Sequence, residues 1–277
     1  MDPADSVVTA PSTVVVTDLD GTFWGNQLVV HGHTRAAFDT LTDQGIPVLV
    51  ATGRRPSSAR TGLLDNDLDL PCVLLNGAVG IDYPGDGHVF HKHGFAADAA
   101  HAVLDTLDEV GLSPCVYLAD GRVAVGGSVT SSFNHLGLLG TDRLDAEPRD
   151  AVDIDTVLGF SMLGLPEGQL RPAADLLSDL DCGDAAFYAD HLYERWSMMV
   201  QPPGITKWQG IQAWLQHADL STPRIIALGD GGNDLEMLQG ADVALSFEGG
   251  DPNALALADA VLPHPDQGGW AQVLDWL

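Results

Sequence analysis

The chain has 277 residues, 45% of them hydrophobic, which is enough to bury one large core or two modest ones and excludes a disordered protein. Twelve Lys and Arg stand against thirty-nine Asp and Glu, a formal charge of −27. Such a surface excludes nucleic acid and anionic membranes as partners, because phosphate backbones and headgroups need cations, and it suits a medium whose salt screens self-repulsion.

In chain order, Met1-Asp2-Pro3-Ala4-Asp5 is acidic and shows neither the basic nor the apolar region of a signal peptide, so a cytoplasmic location is expected. The β-branched run Val14-Val15-Val16-Thr17 reads as a strand buried on both faces, ending in Asp18-Leu19-Asp20-Gly21-Thr22. A flap from Phe23 to Val30 follows, then a helix from about Thr34 stopped by Gly45. Strand Pro47–Ala51 ends in Thr52-Gly53-Arg54, and a helix from Pro56 leads to strand Cys72–Leu75, which ends in Asn76-Gly77-Ala78. Strand and helix alternating at this spacing predict right-handed βαβ units around a parallel sheet.

The rhythm then changes. A hairpin over Val79–His91, turning at Pro84-Gly85-Asp86-Gly87, precedes a helix over 96–110. Strands follow at 115–118, 122–125, 157–163, 185–188 and 195–200, with helices at 129–139 and 167–177. After Gln201-Pro202-Pro203-Gly204, which reads as a hinge, the α/β pattern resumes: a helix over 205–216, strand Arg224–Leu228, then Gly229-Asp230-Gly231-Gly232-Asn233-Asp234. Strands at 243–245 and 260–262 alternate with helices to the C-terminus. The expectation is a Rossmann-like α/β core of residues 1–82 and 201–277, with an α+β cap inserted over 83–200. Cys72, Cys115 and Cys182 are odd in number and far apart, which points to reduced thiols.

Ligands of open parallel sheets gather at the carboxyl ends of the strands. There this sequence delivers Asp18, Asp20, Thr52, Asp230, Asn233 and Asp234, with Lys207 near the start of the helix after the hinge. Several carboxylates in one place need a cation, and Mg²⁺ suits hard oxygens combined with waters and a phosphate. Lys207 is one of only two lysines in the chain, the other being Lys92.

Asp18-Leu19-Asp20-Gly21-Thr22, the strand end Thr52-Gly53-Arg54, Lys207 and Gly229-Asp230-Gly231-Gly232-Asn233-Asp234 resemble, in order and spacing, the four motifs of the haloacid dehalogenase superfamily. The long insertion and Asn76-Gly77-Ala78 resemble its Cof-type phosphatases with a large α/β cap. The chain departs from that pattern at Leu245-Ser246-Phe247-Glu248-Gly249. The resemblance implies a Mg²⁺-dependent phosphatase acting on a small phosphorylated metabolite, foremost a sugar phosphate. It implies Asp18 as nucleophile and Asp20 as general acid and base. Asp18, the Asp20 backbone carbonyl and Asp230 would hold Mg²⁺, with Asp234 orienting Lys207 or a metal-bound water. Thr52, Gly53, Lys207 and Asn233 would bind phosphate, with Arg54 and Asn76 beside them.

Two rivals stand beside this reading: a phosphosugar mutase of the same superfamily, and a catalytically silent binding protein that keeps the fold. The oligomeric state is open. His31-Gly32-His33 and His91-Lys92-His93 read as solvated loop histidines rather than a zinc site. Trp208 and Trp214 read as core packing, while Trp24 in the flap either touches the leaving group or packs beneath the cap.

Overall fold

Alternate residues of the first strand, β1 (Thr13–Thr17), bury on opposite faces. Val15 packs with Ala37 and Leu41 of helix Gly32–Asp43 and with Trp270, while Val14 and Val16 pack with Ile211 and Trp214 of helix Lys207–His217. A strand covered by helices on both sides is the condition for a parallel sheet. The computed structural model describes residues 13–277 except 86, 191, 192 and 194. The acidic stretch Met1–Asp5 and Asp86 of the hairpin turn therefore lie outside the described residues.

The core strands are β1, β2 (Val48–Ala51), β3 (Cys72–Leu74), β4 (Val79–Asp82) and β5 (His88–Lys92). The cap then supplies β6 (Cys115–Leu118), β7 (Val123–Val125), β8 (Arg143–Asp145), β9 (Val157–Leu165), β10 (Asp184–Asp190) and β11 (Arg195–Gln201). The chain returns to the core with β12 (Arg224–Leu228), β13 (Val243–Phe247) and β14 (Ala260–Leu262). The core sheet has the order β14-β13-β12-β1-β2-β3-β4-β5, parallel from β14 to β3, with β4 and β5 added antiparallel. The hairpin β4–β5 thus extends the core sheet through Lys92, and the boundary expected at residue 82 falls inside it.

The cap sheet has the order β10-β11-β9-β6-β7-β8 and is antiparallel except for β7–β8. Helices Ala97–Glu109, Pro148–Ile154 and Glu167–Ser178 cover one face through Val103, Leu107, Ala151, Leu170 and Leu177. The opposite face turns Tyr117, Leu163 and Met199 toward the core domain, where they join its hydrophobic cluster.

Three expectations are corrected. The helix placed over 129–139 is confined to Phe133–Gly137, because Thr130 instead donates its N–H to the Ser113 carbonyl and Ser132 caps the helix from its side chain. Strand β8 and helix Pro148–Ile154 lie where no element was expected, the helix starting at a proline that favours the first turn. The C-terminal helix forms as 3₁₀ turns over Gly269–Trp276, anchored by Trp270, whose Nε1 donates to Thr17 Oγ1 at 3.0 Å.

Candidate active site

β1 and β12 run side by side in register, and the Asp18 N–H donates to the Leu228 carbonyl at 2.9 Å, so both strands end at the same level. The turns beyond them therefore bring Asp18 and Asp230 together. Asp18, Asp230 and Asp234 are all buried, and one carboxylate oxygen of each lies within 4.8 Å of the others. Approach this close requires glycine at position 21. Its φ is +75°, and a Cβ there would stand 2.3 Å from an Asp230 oxygen.

Lys207 enters from the opposite side. Its helix starts at this residue rather than at 205, because Thr206 and Gln209 form a capping box that satisfies the first N–H groups. The fully buried ammonium donates to Asp18 Oδ1 at 2.9 Å and to Asp234 Oδ1 at 2.6 Å. Asp234 Oδ2 accepts the backbone N–H groups of Asp230 and Gly231, so both of its oxygens are engaged. Its part is to fix Lys207 and the loop. Thr22 donates its hydroxyl to Asp230 Oδ1 at 2.6 Å.

The charges do not balance. One ammonium faces three carboxylates, and burial together with the neighbouring Asp234 and Asp20 raises the Asp18 pKa to about 7 despite Lys207. Burial, Asp234 and Asp18 likewise push Asp230 well above the usual carboxylate range. Lys207 is raised, because attraction to Asp18 and Asp234 outweighs its burial. Crowded, partly uncompensated oxygens fit a hard divalent cation. Among the described residues no other group of three or more His, Cys, Asp or Glu meets that test. His31 accepts the His33 N–H and caps its helix.

Asp20 is not part of this cluster but lines the same cavity as Asp18 and Asp230. Arg54 forks onto it, Nε to Oδ2 and Nη2 to Oδ1, each at 2.6 Å, and Trp24 Nε1 donates to Oδ1 at 3.0 Å. The Arg54 guanidinium also lies over the Trp24 ring, 5.4 Å from its centre. Arg54 thus holds the second aspartate rather than standing free for phosphate. Trp24 is fully buried and is not among the residues that line the cavity beneath the cap. Trp214 is buried in the core, as expected.

Thr52 is buried at the end of β2, and its Oγ1 accepts the Arg54 N–H at 3.3 Å. Asn76, in the left-handed region at φ 51°, accepts from Asn233 Nδ2 at 2.9 Å and reaches the Met199 sulfur of the cap. The strand ends open into a cavity of about 760 Å³, lined from the core by Asp18, Asp20, Thr52, Gly53, Asp230 and Asn233. The cap closes it with Tyr117, His135, Leu163, Tyr188, Tyr193 and Met199. None of these cap residues was singled out from the sequence. They come from separate strands and turns and leave no periodic signal.

The fold and this site define a class: a doubly wound α/β domain whose buried acidic centre lies at the carboxyl edge of its sheet, beneath an inserted α+β cap. Residues 15–274 match the model of the haloacid dehalogenase-like hydrolases, and the chain belongs to that family. It is 24% identical over 94% of its length to the 5-amino-6-(5-phospho-D-ribitylamino)uracil phosphatase YitU of Bacillus subtilis, covering 96% of that protein. It is also 24% identical to the chloroplastic endoribonuclease YBEY of Arabidopsis thaliana, but spans only 45% of that longer protein. Among solved structures, the subclass IIB sugar phosphatase BT4131 superposes with a TM-score of 0.76 at 19% identity, over 95% of this chain and 98% of that one. Among the described residues no helix is long and apolar enough to cross a membrane.

Proposed function

We propose that this protein hydrolyses a small phosphomonoester, with a sugar phosphate as the substrate class, through a phosphorylated Asp18 and with Mg²⁺ as cofactor. The observation that carries the reading is Lys207, fully buried and bonded at once to Asp18 and Asp234, directly behind the Asp18 that lines a capped cavity together with Asp230. Asp18 attacks phosphorus in line, and the phosphoryl oxygens sit between the Lys207 ammonium, the Thr52 hydroxyl and the N–H groups around Gly53. Asp18, Asp230 and the Asp20 backbone carbonyl would hold Mg²⁺, which when bound would neutralise charge at the phosphoryl group.

Asp20 protonates the leaving alkoxide and then takes a proton from the water that cleaves the aspartyl-phosphate. In the arrangement described, Arg54 occupies both of its oxygens. The proton-donating half-reaction therefore requires the guanidinium to withdraw as substrate enters. Asn233 supports the phosphate site through Asn76, and Asp234 orients Lys207. The likeness to the sugar phosphatase BT4131 and to the 5-amino-6-(5-phospho-D-ribitylamino)uracil phosphatase YitU supports the substrate class.

The test is phosphate release from a panel of phosphomonoesters with Mg²⁺, with EDTA, and after Mg²⁺ is restored. Release that depends on Mg²⁺ and vanishes in Asp18→Asn supports the reading. Conversion of substrate into an isomeric phosphate, with little free phosphate, would make the protein a mutase instead.

A further inference from the structure

Six buried side-chain polar atoms among the described residues find no hydrogen-bond partner within the protein: Thr34 Oγ1, His91 Nε2, His101 Nδ1, His135 Nε2, Gln201 Nε2 and Ser246 Oγ. Of these residues only His135 lines the active-site cavity. Its side chain is 5% exposed, on the short cap helix Phe133–Gly137. Leaving a buried polar atom unsatisfied costs about 1–3 kcal/mol, so a leucine or phenylalanine would serve packing better at this position.

The other ring nitrogen is accounted for. Nδ1 lies 3.3 Å from the Tyr193 hydroxyl, and the two rings meet edge to face with centroids 6.1 Å apart. The helix itself is pinned against the core, because Arg55 donates to the Leu138 carbonyl and pairs with Asp142 just beyond it. His135 is therefore held in a fixed place on the cavity wall, with one nitrogen bonded and the other waiting.

Resting on the phosphatase reading above, we propose that His135, oriented by Tyr193, is the cap side chain that binds a hydroxyl of the leaving group and so sets substrate preference. A hydroxyl fits because it both donates and accepts. If Tyr193 donates to Nδ1, then Nε2 carries the proton and donates; if Nδ1 donates to Tyr193, then Nε2 accepts. Burial and the nearby Arg55 charge lower the His135 pKa to about 4, so the ring is neutral at pH 7 and is no counter-ion for a second anionic group. Tyr193 is a positioning residue in this account, acting through the ring it bonds.

The experiment compares kcat/KM for hydroxylated esters (sorbitol 6-phosphate, glucose 6-phosphate, ribose 5-phosphate, glycerol 1-phosphate) with that for p-nitrophenyl phosphate, which has no such hydroxyl, all with Mg²⁺. In His135→Leu the ratio for the best hydroxylated ester is expected to fall about tenfold, mainly through KM. His135→Gln, which keeps a donor and an acceptor, should recover it to within about threefold. Tyr193→Phe should give a smaller fall in the same direction, and it carries the test if His135→Leu does not fold. An unchanged ratio in the folded Leu and Phe variants, or an equal loss in Leu and Gln, overturns the proposal. A parent enzyme active on p-nitrophenyl phosphate but on none of the hydroxylated esters overturns it while leaving the phosphatase reading intact. A parent inert toward every ester removes the phosphatase reading itself, and this proposal with it.

Discussion

At the scale of single residues the site is a balance among Asp18, Asp230, Asp234 and Lys207, and removing different members should have opposite effects on stability. Lys207→Met strands two buried carboxylates that the ammonium now bridges. The expected cost is about 3–5 kcal/mol in urea unfolding, with kcat/KM down at least about a hundredfold. Asp18→Asn should abolish turnover yet leave the metal-free protein at least as stable as the parent at pH 7.5. The reason lies in the sign of its shift. The folded pKa of about 7 stands above the ordinary carboxylate value of 3.8, so ionising Asp18 costs folded-state stability. That cost is absent below about pH 3.8, grows through the interval and is complete above about pH 7. Asp230, raised in the same direction, adds to it. Mg²⁺ relieves the repulsion only where the carboxylates are charged. The rise in Tm from EDTA to Mg²⁺ should therefore be larger at pH 7.5 than at pH 5, and smaller in Asp18→Asn at either pH. Equal rises at both pH values would argue that the cation binds elsewhere.

At the scale of elements, Lys207 reaches Asp18 as the first residue of its helix, which the Thr206–Gln209 capping box holds in place. Thr206→Ala is expected to cost about 1 kcal/mol, a fall of about 2–4 °C in Tm for a chain of this size. It should also lower kcat, because the lysine now rides on a frayed first turn. Thr206→Ser should restore both, since either hydroxyl caps. This helix start also shows where the sequence was readable. Apolar runs that end in carboxylates marked β1 and β12, and a helix between a Pro-Pro-Gly hinge and the next strand placed Lys207 beside them. Buried strands and motif spacing are local, and each is written in a few consecutive residues. The cap was legible only as alternating strands and helices. Strand β8 is three residues long and pairs parallel with β7, so it carries too little alternation to be seen. Arg54 looked like a phosphate ligand because it follows Thr52. Only the fold shows that Asp20, thirty-four residues away, already occupies it. His135 and Tyr193 lie fifty-eight positions apart and meet through the antiparallel cap sheet, which no local pattern encodes.

At the scale of the whole molecule, a body of charge −27 must admit a substrate that is itself an anion. The two arginines nearest the cavity, Arg54 and Arg55, are neutralised by Asp20 and Asp142. The approach is thus governed by repulsion from the surface as a whole, and the attraction of Lys207 and a bound cation acts only at contact range. Electrostatic steering ordinarily weakens as salt is added, whereas repulsion between like charges is relieved by it. Between about 0.02 and 0.5 M KCl the Debye length shrinks from about 20 Å to about 4 Å, which screens the surface but barely reaches the buried centre. With free Mg²⁺ held saturating, kcat/KM for a phosphomonoester should therefore rise with KCl. Because kcat reports the bound complex, it should change less, so the effect belongs in the substrate-capture step. The same screening should raise Tm, since the folded surface holds its carboxylates closer together than the unfolded chain does. A kcat/KM that falls steadily with salt would mean that the local positive centre governs capture from a distance, and that the acidic surface leaves the encounter untouched.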